Sequence, residues 1–288
     1  MIRFADNQTA PLVRQMWKTC FGDSEEFMNL YFNRKYRNEN TLVYFESETA
    51  VASMQMLPYT MRFYGSVISV AYVSGACTLP ECRGKGYMKK LLLASFKVMQ
   101  ERNILLSILV PAENWLYDFY AKLGYEKIFD RSDKDINMHL FLSHYPANTK
   151  IAYATFNKEH QQQDFCVLKS MDDFEVIMED YVLHGYSAKY NLEGMARIID
   201  AGTMLELYAK KNKTASFTLK IIDELTENNE VYKIGNGIAS KTKDAKFDIE
   251  SDIHLLTRLL FGYRIQELSP VYNAFFSEHH PVMNLMLE

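Results

Sequence analysis

The chain has 288 residues, of which 48% are hydrophobic and 24% charged, with a formal net charge of −4. That composition belongs to a folded chain of about two domains and excludes a disordered one. The slightly acidic balance leaves no basic footprint for nucleic acid. No apolar run reaches the ~20 residues that cross a bilayer, so no membrane contact is expected.

From the N-terminus, residues 1–5 read as a strand. Asn7 or Thr9 then caps a helix whose first turn tolerates Pro11 and whose end falls at Phe21-Gly22. Asp23 followed three residues later by Glu26 resembles a capping box opening a second helix to about Tyr36. Residues 41–46, 50–58 and 60–79 are rich in β-branched and aromatic side chains and read as an antiparallel meander. An amphipathic helix follows from Gly86 to about Asn103, then a buried strand over Ile104–Val110, a short helix over Asn114–Leu123 and a strand from Tyr125.

The polar stretch at 145–162 is the clearest shift in composition and reads as a linker. Beyond it, residues 174–187 and 191–210 read as helices, 217–223 and 231–239 as strands, and 252–263 as a helix. The N-terminal MIRFADNQTAPLVRQ has no apolar core of signal-peptide length, and a cytoplasmic location is expected. Cys20, Cys77, Cys82 and Cys166 are scattered without a CxxC pair, which fits reduced thiols better than a disulfide framework or a zinc site. The histidines have no ligand spacing, and no metal is expected.

The sharpest local feature is Pro80-Glu81-Cys82-Arg83-Gly84-Lys85-Gly86-Tyr87-Met88, where a strand gives way to the long helix. Two glycines let successive N–H groups point into one concavity, the helix N-terminus adds partial positive charge, and Arg83 and Lys85 flank it. A P-loop is excluded because Leu79 stands where its first glycine belongs, and a dinucleotide fingerprint because Lys89 stands where its third belongs. What remains is a loop for a diphosphate, or else a plain strand–helix junction.

Residues 75–93, GACTLPECRGKGYMKKLLL, resemble motif A of the GNAT superfamily of N-acetyltransferases, with Arg83 and Gly86 matching and Met88 in place of the small final residue. Asn114 to Tyr125, NWLYDFYAKLGY, resembles motif B. Met88 points to the Eis-type (enhanced intracellular survival) branch. The C-terminal segments resemble that branch's sterol-carrier-protein-like domain. The resemblance implies an α/β (α+β) GNAT fold with a mixed central sheet over residues 1–145. It further implies a linker or remnant of a second GNAT unit over 146–190, too short for a whole copy, and a smaller α+β domain over 191–288.

The resemblance also implies a site. Acetyl-CoA would lie along Ala76, Cys77 and Thr78, with Arg83, Gly84, Lys85, Gly86, Tyr87, Met88 and Lys89 at its diphosphate and Asn114 and Trp115 beside it. Tyr120 would be the general acid, or an aromatic that only packs on its helix. The terminal carboxylate of Glu288 would be the base, or the end of a frayed tail. Asp23 and Glu26 would face a cationic acceptor, or act only as a solvated helix cap. The function implied is transfer of acetyl from acetyl-CoA to a primary amine of a small, cationic acceptor. Its alternative is a non-catalytic acyl-CoA or apolar-ligand-binding protein on the same fold. Homo-oligomers are common among resembling enzymes and compatible with this reading.

Overall fold

The computed structural model describes residues 1–145, 147–185, 187–226, 228–243 and 246–287. The chain opens with strand β1 (Ile2–Phe4), helices α1 (Ala10–Phe21) and α2 (Glu25–Arg34), and the antiparallel strands β2 (Thr41–Glu46), β3 (Thr49–Phe63) and β4 (Ser66–Thr78). Helix α3 (Tyr87–Glu101), β5 (Leu106–Leu109), α4 (Asn114–Ala121) and β6 (Glu126–Phe129) follow. Helix α2 starts one residue later than the Asp23 capping box predicts. Ser24 is its cap, accepting the Phe27 N–H at 3.1 Å, which leaves the Asp23 carboxylate for other partners.

After β6 come α5 (Met138–Leu142), α6 (Thr149–His160), β7 (Val167–Leu168), α7 (Met171–His184) and β8 (Gly194–Ile198). The polar stretch at 145–162 is largely helical. Ala152 and Phe156, four residues apart, form a narrow buried seam, and composition alone hides so thin a stripe. The helix expected over 191–210 splits into strand β8 and helix α8 (Ala201–Lys211). All five residues of β8, Arg197 included, are buried, so the strand has no alternation of exposed and buried positions to betray it.

The first sheet runs β1-β2-β3-β4-β5-β8-β6, with β7 pairing β3. Strand β8 therefore lies beyond the expected division at 191 yet separates β5 from β6, antiparallel to both. One face of this sheet is covered by α1 and α2 through Val13, Met16, Trp17 and Tyr31, the other by α3 and α4 through Leu91, Leu92, Phe96 and Tyr120. The second sheet, β11 (Ile238–Lys241), β10 (Val231–Gly235), β9 (Phe217–Ile222) and β12 (Ile249–Asp252), packs with α8 and α9 (Ile253–Leu260). Helix α9 also touches β6 and β8, so one apolar core runs through both sheets.

A buried ion pair joins them. Arg197 on β8 is fully buried, and its Nη2 donates to both carboxylate oxygens of Asp223, just after β9, at 2.9 Å. Its Nε and Nη1 have no hydrogen-bond partner, but the guanidinium lies 4.7 Å from the centroid of the Phe96 ring. Burial alone would raise the Asp223 carboxyl. Arg197's charge and the hydrogen bonds of Thr226 and Asn228 instead hold it below the usual carboxylate range. Gly124 leaves room for the guanidinium, since a Cβ there would stand 1.5 Å from Nη1, and its φ of +82° is one that glycine adopts without strain.

Removing one partner strands a buried charge. Asp223→Ala is expected to lower the unfolding free energy by about 3–5 kcal/mol, and Arg197→Met with Asp223→Leu by much less. Denaturant titration of the three proteins checks this, and a loss under about 1 kcal/mol for Asp223→Ala would remove the pair's role as a clamp.

Candidate active site

Strand β4 pairs with β5 only over Val70–Tyr72, in parallel. From Val73 to Thr78 it runs on with β3 on one side and, among the described residues, no strand on the other, because the chain after β5 turns off at Val110-Pro111. The register to β3 shifts between Ser53↔Cys77 and Gln55↔Ser74, so Gly75 and Ala76 together oppose Met54 in a bulge. Gly75 has φ +54°, and a Cβ on it would lie 2.2 Å from the Trp17 ring. Ala76, Cys77 and Thr78 thus present an open strand edge, a template on which an extended amide-bearing chain can pair. The Cys77 thiol itself is buried on the other side, 3.4 Å from the Ser53 hydroxyl.

The open edge leads directly into the glycine loop. Gly84 and Gly86 have φ of +79° and +76°, and nothing stands within 4 Å of the Cβ either would carry. Glycine is needed there for backbone conformation, while the space above it stays empty. Gly86 is the N-cap of α3 and offers no side chain, and none of the N–H groups of residues 84–89 donates to a described protein acceptor. A row of unpaired donors at a helix N-terminus suits an anion, and the residues present fit a diphosphate. Arg83 Nε donates to the Thr78 carbonyl at 3.2 Å, and Lys85 is held by Glu46 at 3.2 Å. Tyr87 is buried with its hydroxyl donating to Glu46, and Met88 is half-buried at the start of α3 while Lys89 is exposed.

Tyr120 lies on α4 at 6% exposure, between Phe119 and Tyr125, in the apolar layer beneath α3. Its hydroxyl makes no hydrogen bond to a described residue, and burial pushes its pKa up to about 12. Asn114 begins α4 on the wall of a cavity, while Trp115 is 61% exposed and donates its Nε1–H to Glu113 at 2.8 Å.

That cavity, of about 780 Å³, opens where β4 and β5 part. Asp23, Phe27, Glu113, Tyr117 and Arg131 line it, together with Leu285 and Met286 from the end of the chain. Asp23 accepts the Trp17 indole N–H at 2.7 Å, so the ring that covers Gly75 also fixes this carboxylate. Glu26 is exposed on the first turn of α2 and is not among the lining residues.

The tail is sewn in place. Val167 N–H donates to the Val282 carbonyl at 2.9 Å, Leu192 N–H to Met283 at 2.8 Å, and Asn191 bridges Pro281 and Met283 at 3.0 and 2.7 Å. Leu285, Met286 and Leu287 are at most 4% exposed. Each buried side chain contributes about 1.5–3 kcal/mol, against about 1–2 kcal/mol to order a residue's backbone, so the tail docks rather than frays up to Leu287. Glu288 lies outside the described residues.

Several of these anchors carry no motif. Asn191, Asn284 and the buried Lys169, whose Nζ donates to Val167 and Asn284 at 3.0 and 3.2 Å, act through contacts with residues distant in sequence or across a turn. Burial lowers Lys169 to about 8. The half-buried Cys20 thiol is likewise shifted to about 7, chiefly by its contact with Cys77 and also by Arg83. Among the described residues no group of three or more His, Cys, Asp or Glu could hold a metal ion, and no helix is long and apolar enough to cross a membrane.

Residues 1–128 match the family model described as an acetyltransferase (GNAT) domain, and residues 201–270 the one described as a sterol carrier protein domain. No curated protein matches the sequence. Among solved structures, a probable N-acyltransferase from Enterococcus faecalis is 14% identical, with a TM-score of 0.73 over 99% of this chain and 98% of that one. Eis1 from Mycobacterium abscessus is 11% identical, with a TM-score of 0.74 over 98% of each chain. A GCN5-related N-acetyltransferase from Anabaena variabilis is 15% identical, with a TM-score of 0.68 over 99% of this chain and 100% of that one. At these identities the likeness is one of fold, and it extends along the whole chain. Residues 1–128 therefore carry a GNAT acetyltransferase domain and residues 201–270 a sterol carrier protein domain, and the protein is an acetyl-CoA-dependent N-acetyltransferase.

Proposed function

We propose that the enzyme transfers acetyl directly to a primary amine of a small, cationic acceptor held in the 780 Å³ cavity, with Tyr120 as general acid. The observation that carries this reading is the continuity of three features. The open edge of β4 leads at one end to the unpaired amides of residues 84–89, and its bulge lies under Trp17, whose partner Asp23 lines the cavity.

In this reading the donor supplies an activated acetyl thioester, and the protein's residues do the rest. Backbone groups of Ala76, Cys77 and Thr78 align the arm that bears the thioester. The loop amides of Gly84 to Lys89, with Arg83 and Lys85 beside them, hold the diphosphate, and Asn114 and Trp115 lie at the mouth. Asp23 and Glu113 keep cationic amines close. Tyr120 is protonated throughout the physiological range and can give its proton to the departing sulfur.

The amine must lose a proton to attack. The end of the chain is the proposed base: Leu285 and Met286 line the cavity, and the terminal carboxylate of Glu288 follows them in sequence. We also propose that the catalytic unit extends through β8 and includes the tail, with the second sheet acting as its clamp. A reducing compartment such as the cytoplasm suits four free thiols.

Gly86→Asp should abolish acetyl-CoA binding in calorimetry while the protein stays folded, since Asp tolerates a left-handed backbone better than most residues. Normal affinity in that variant would dismiss the loop. Tyr120→Phe should lower kcat about 10²–10⁴-fold with acetyl-CoA affinity kept. Because its folded pKa is about 12, wild-type kcat should show no loss centred near pH 10. A variant lacking Leu287 and Glu288 that folds and turns over normally would remove the tail as base. Acetyl-CoA binding without turnover of any amine would favour the non-catalytic alternative.

A further inference from the structure

The cavity sorts its charges unevenly. Three of its charged side chains are engaged by ionisable partners. Glu193 pairs with Lys127 at 2.8 Å, Asp180 with His184 at 2.9 Å, and Lys189 with Asp135 at 2.7 Å. Three others are not. Asp23 and Glu113 each accept only a neutral indole N–H, from Trp17 and Trp115 at 2.7 and 2.8 Å. The nearby Lys18 ammonium is taken by Glu25 and by the Asp23 main-chain carbonyl. Arg131 makes no hydrogen bond or ion pair with any described residue.

These three groups stand at opposite ends. Asp23 hangs from the ring that covers the β4 bulge, and Glu113 immediately precedes α4, so both acids lie at the parting of β4 and β5. Arg131 follows β6, which is two strands away from β5 across β8. At 4.7–4.9 Å per strand that is roughly 10 Å before the arginine's own reach shortens it. Its rim is held firmly: Ser132 N–H donates to Asn191 at 3.0 Å, Tyr190 N–H to Lys134 at 2.8 Å and Ile136 N–H to Ala188 at 2.7 Å. Asn191 also ties down the tail.

We infer that the acceptor carries a carboxylate several bonds from its reacting amine, as the side-chain amine of a diamino acid does, and that Arg131 selects for that carboxylate. The inference rests on the cavity being the acceptor site. A guanidinium with no internal partner is suited to a bidentate contact with a carboxylate. The two acids meet the amine end, and the distance across β8 is too long for the α-amine and carboxylate of one simple amino acid. An acceptor made only of amines would leave Arg131 facing like charge.

The test compares lysine with 1,5-diaminopentane, which has the same amine spacing and no carboxylate, in wild type and in Arg131→Met. Lysine should be acetylated at Nε, with kcat/KM about tenfold above the diamine, the size of one charge-assisted contact. In Arg131→Met that ratio should fall toward one through a higher KM for lysine. Arg131 is exposed, so an unchanged melting temperature separates this from misfolding. A wild-type diamine rate equal to or above that of lysine, acetylation at the α-amine, or a ratio unmoved by Arg131→Met would each overturn the inference. Acetyl-CoA binding with neither compound acetylated would instead bring down the amine-acceptor reading of the cavity, and this inference with it.

Discussion

The insertion of β8 between β5 and β6 is the constraint on which the rest of the molecule depends. It carries a fully buried arginine into the first sheet, and that charge is met by Asp223 of the second unit. A buried guanidinium without its carboxylate is costly, so the place of β8 between β5 and β6 is favoured by Asp223 of the second unit docking against it. The pair is also a device of register. Arg197 faces Ser107 across β5, and a slip of one residue would turn the charge to the opposite face.

From that strand the site follows. Because the chain leaves the sheet after β5 while β8 takes up the other side of that strand, β4 runs on without a described partner on that edge beyond Tyr72, and the free edge leads to the glycine loop. No described residue stands within 4 Å of the Cβ positions of Gly84 and Gly86, which separates this loop from an ordinary junction where a neighbour's packing would demand glycine. Gly75 and Gly124 are the opposite case, kept small by Trp17 and Arg197. Four glycines of similar backbone conformation thus serve two different purposes.

The cavity is built by parts of the chain remote from the loop. The α1–α2 turn contributes Asp23, the segment after β6 contributes Arg131, and the last residues contribute Leu285 and Met286. Asn191 connects two of these, since its side chain holds the tail and its carbonyl holds Ser132. A shift at this asparagine would therefore move the cavity's floor and its arginine together.

The sequence by itself determined the strand, glycine loop and helix start on which the proposed donor site rests, because each of these elements is local. The strand, the two glycines and the helix start occupy consecutive positions, and a helix N-terminus binds anions wherever it occurs. The same holds for the Asn114–Tyr125 segment, whose glycine could be read from its motif although the reason for it, Arg197, lies 73 residues on. Tertiary structure alone decided the rest. Strand β8 read as helix because a strand buried on both faces has no alternation, and α6 read as linker because only two of its side chains are buried. That Arg131, Asp23 and Glu113 have no ionic partner among the described residues depends on who stands beside them, and a linear pattern of charges holds no record of its neighbours in space.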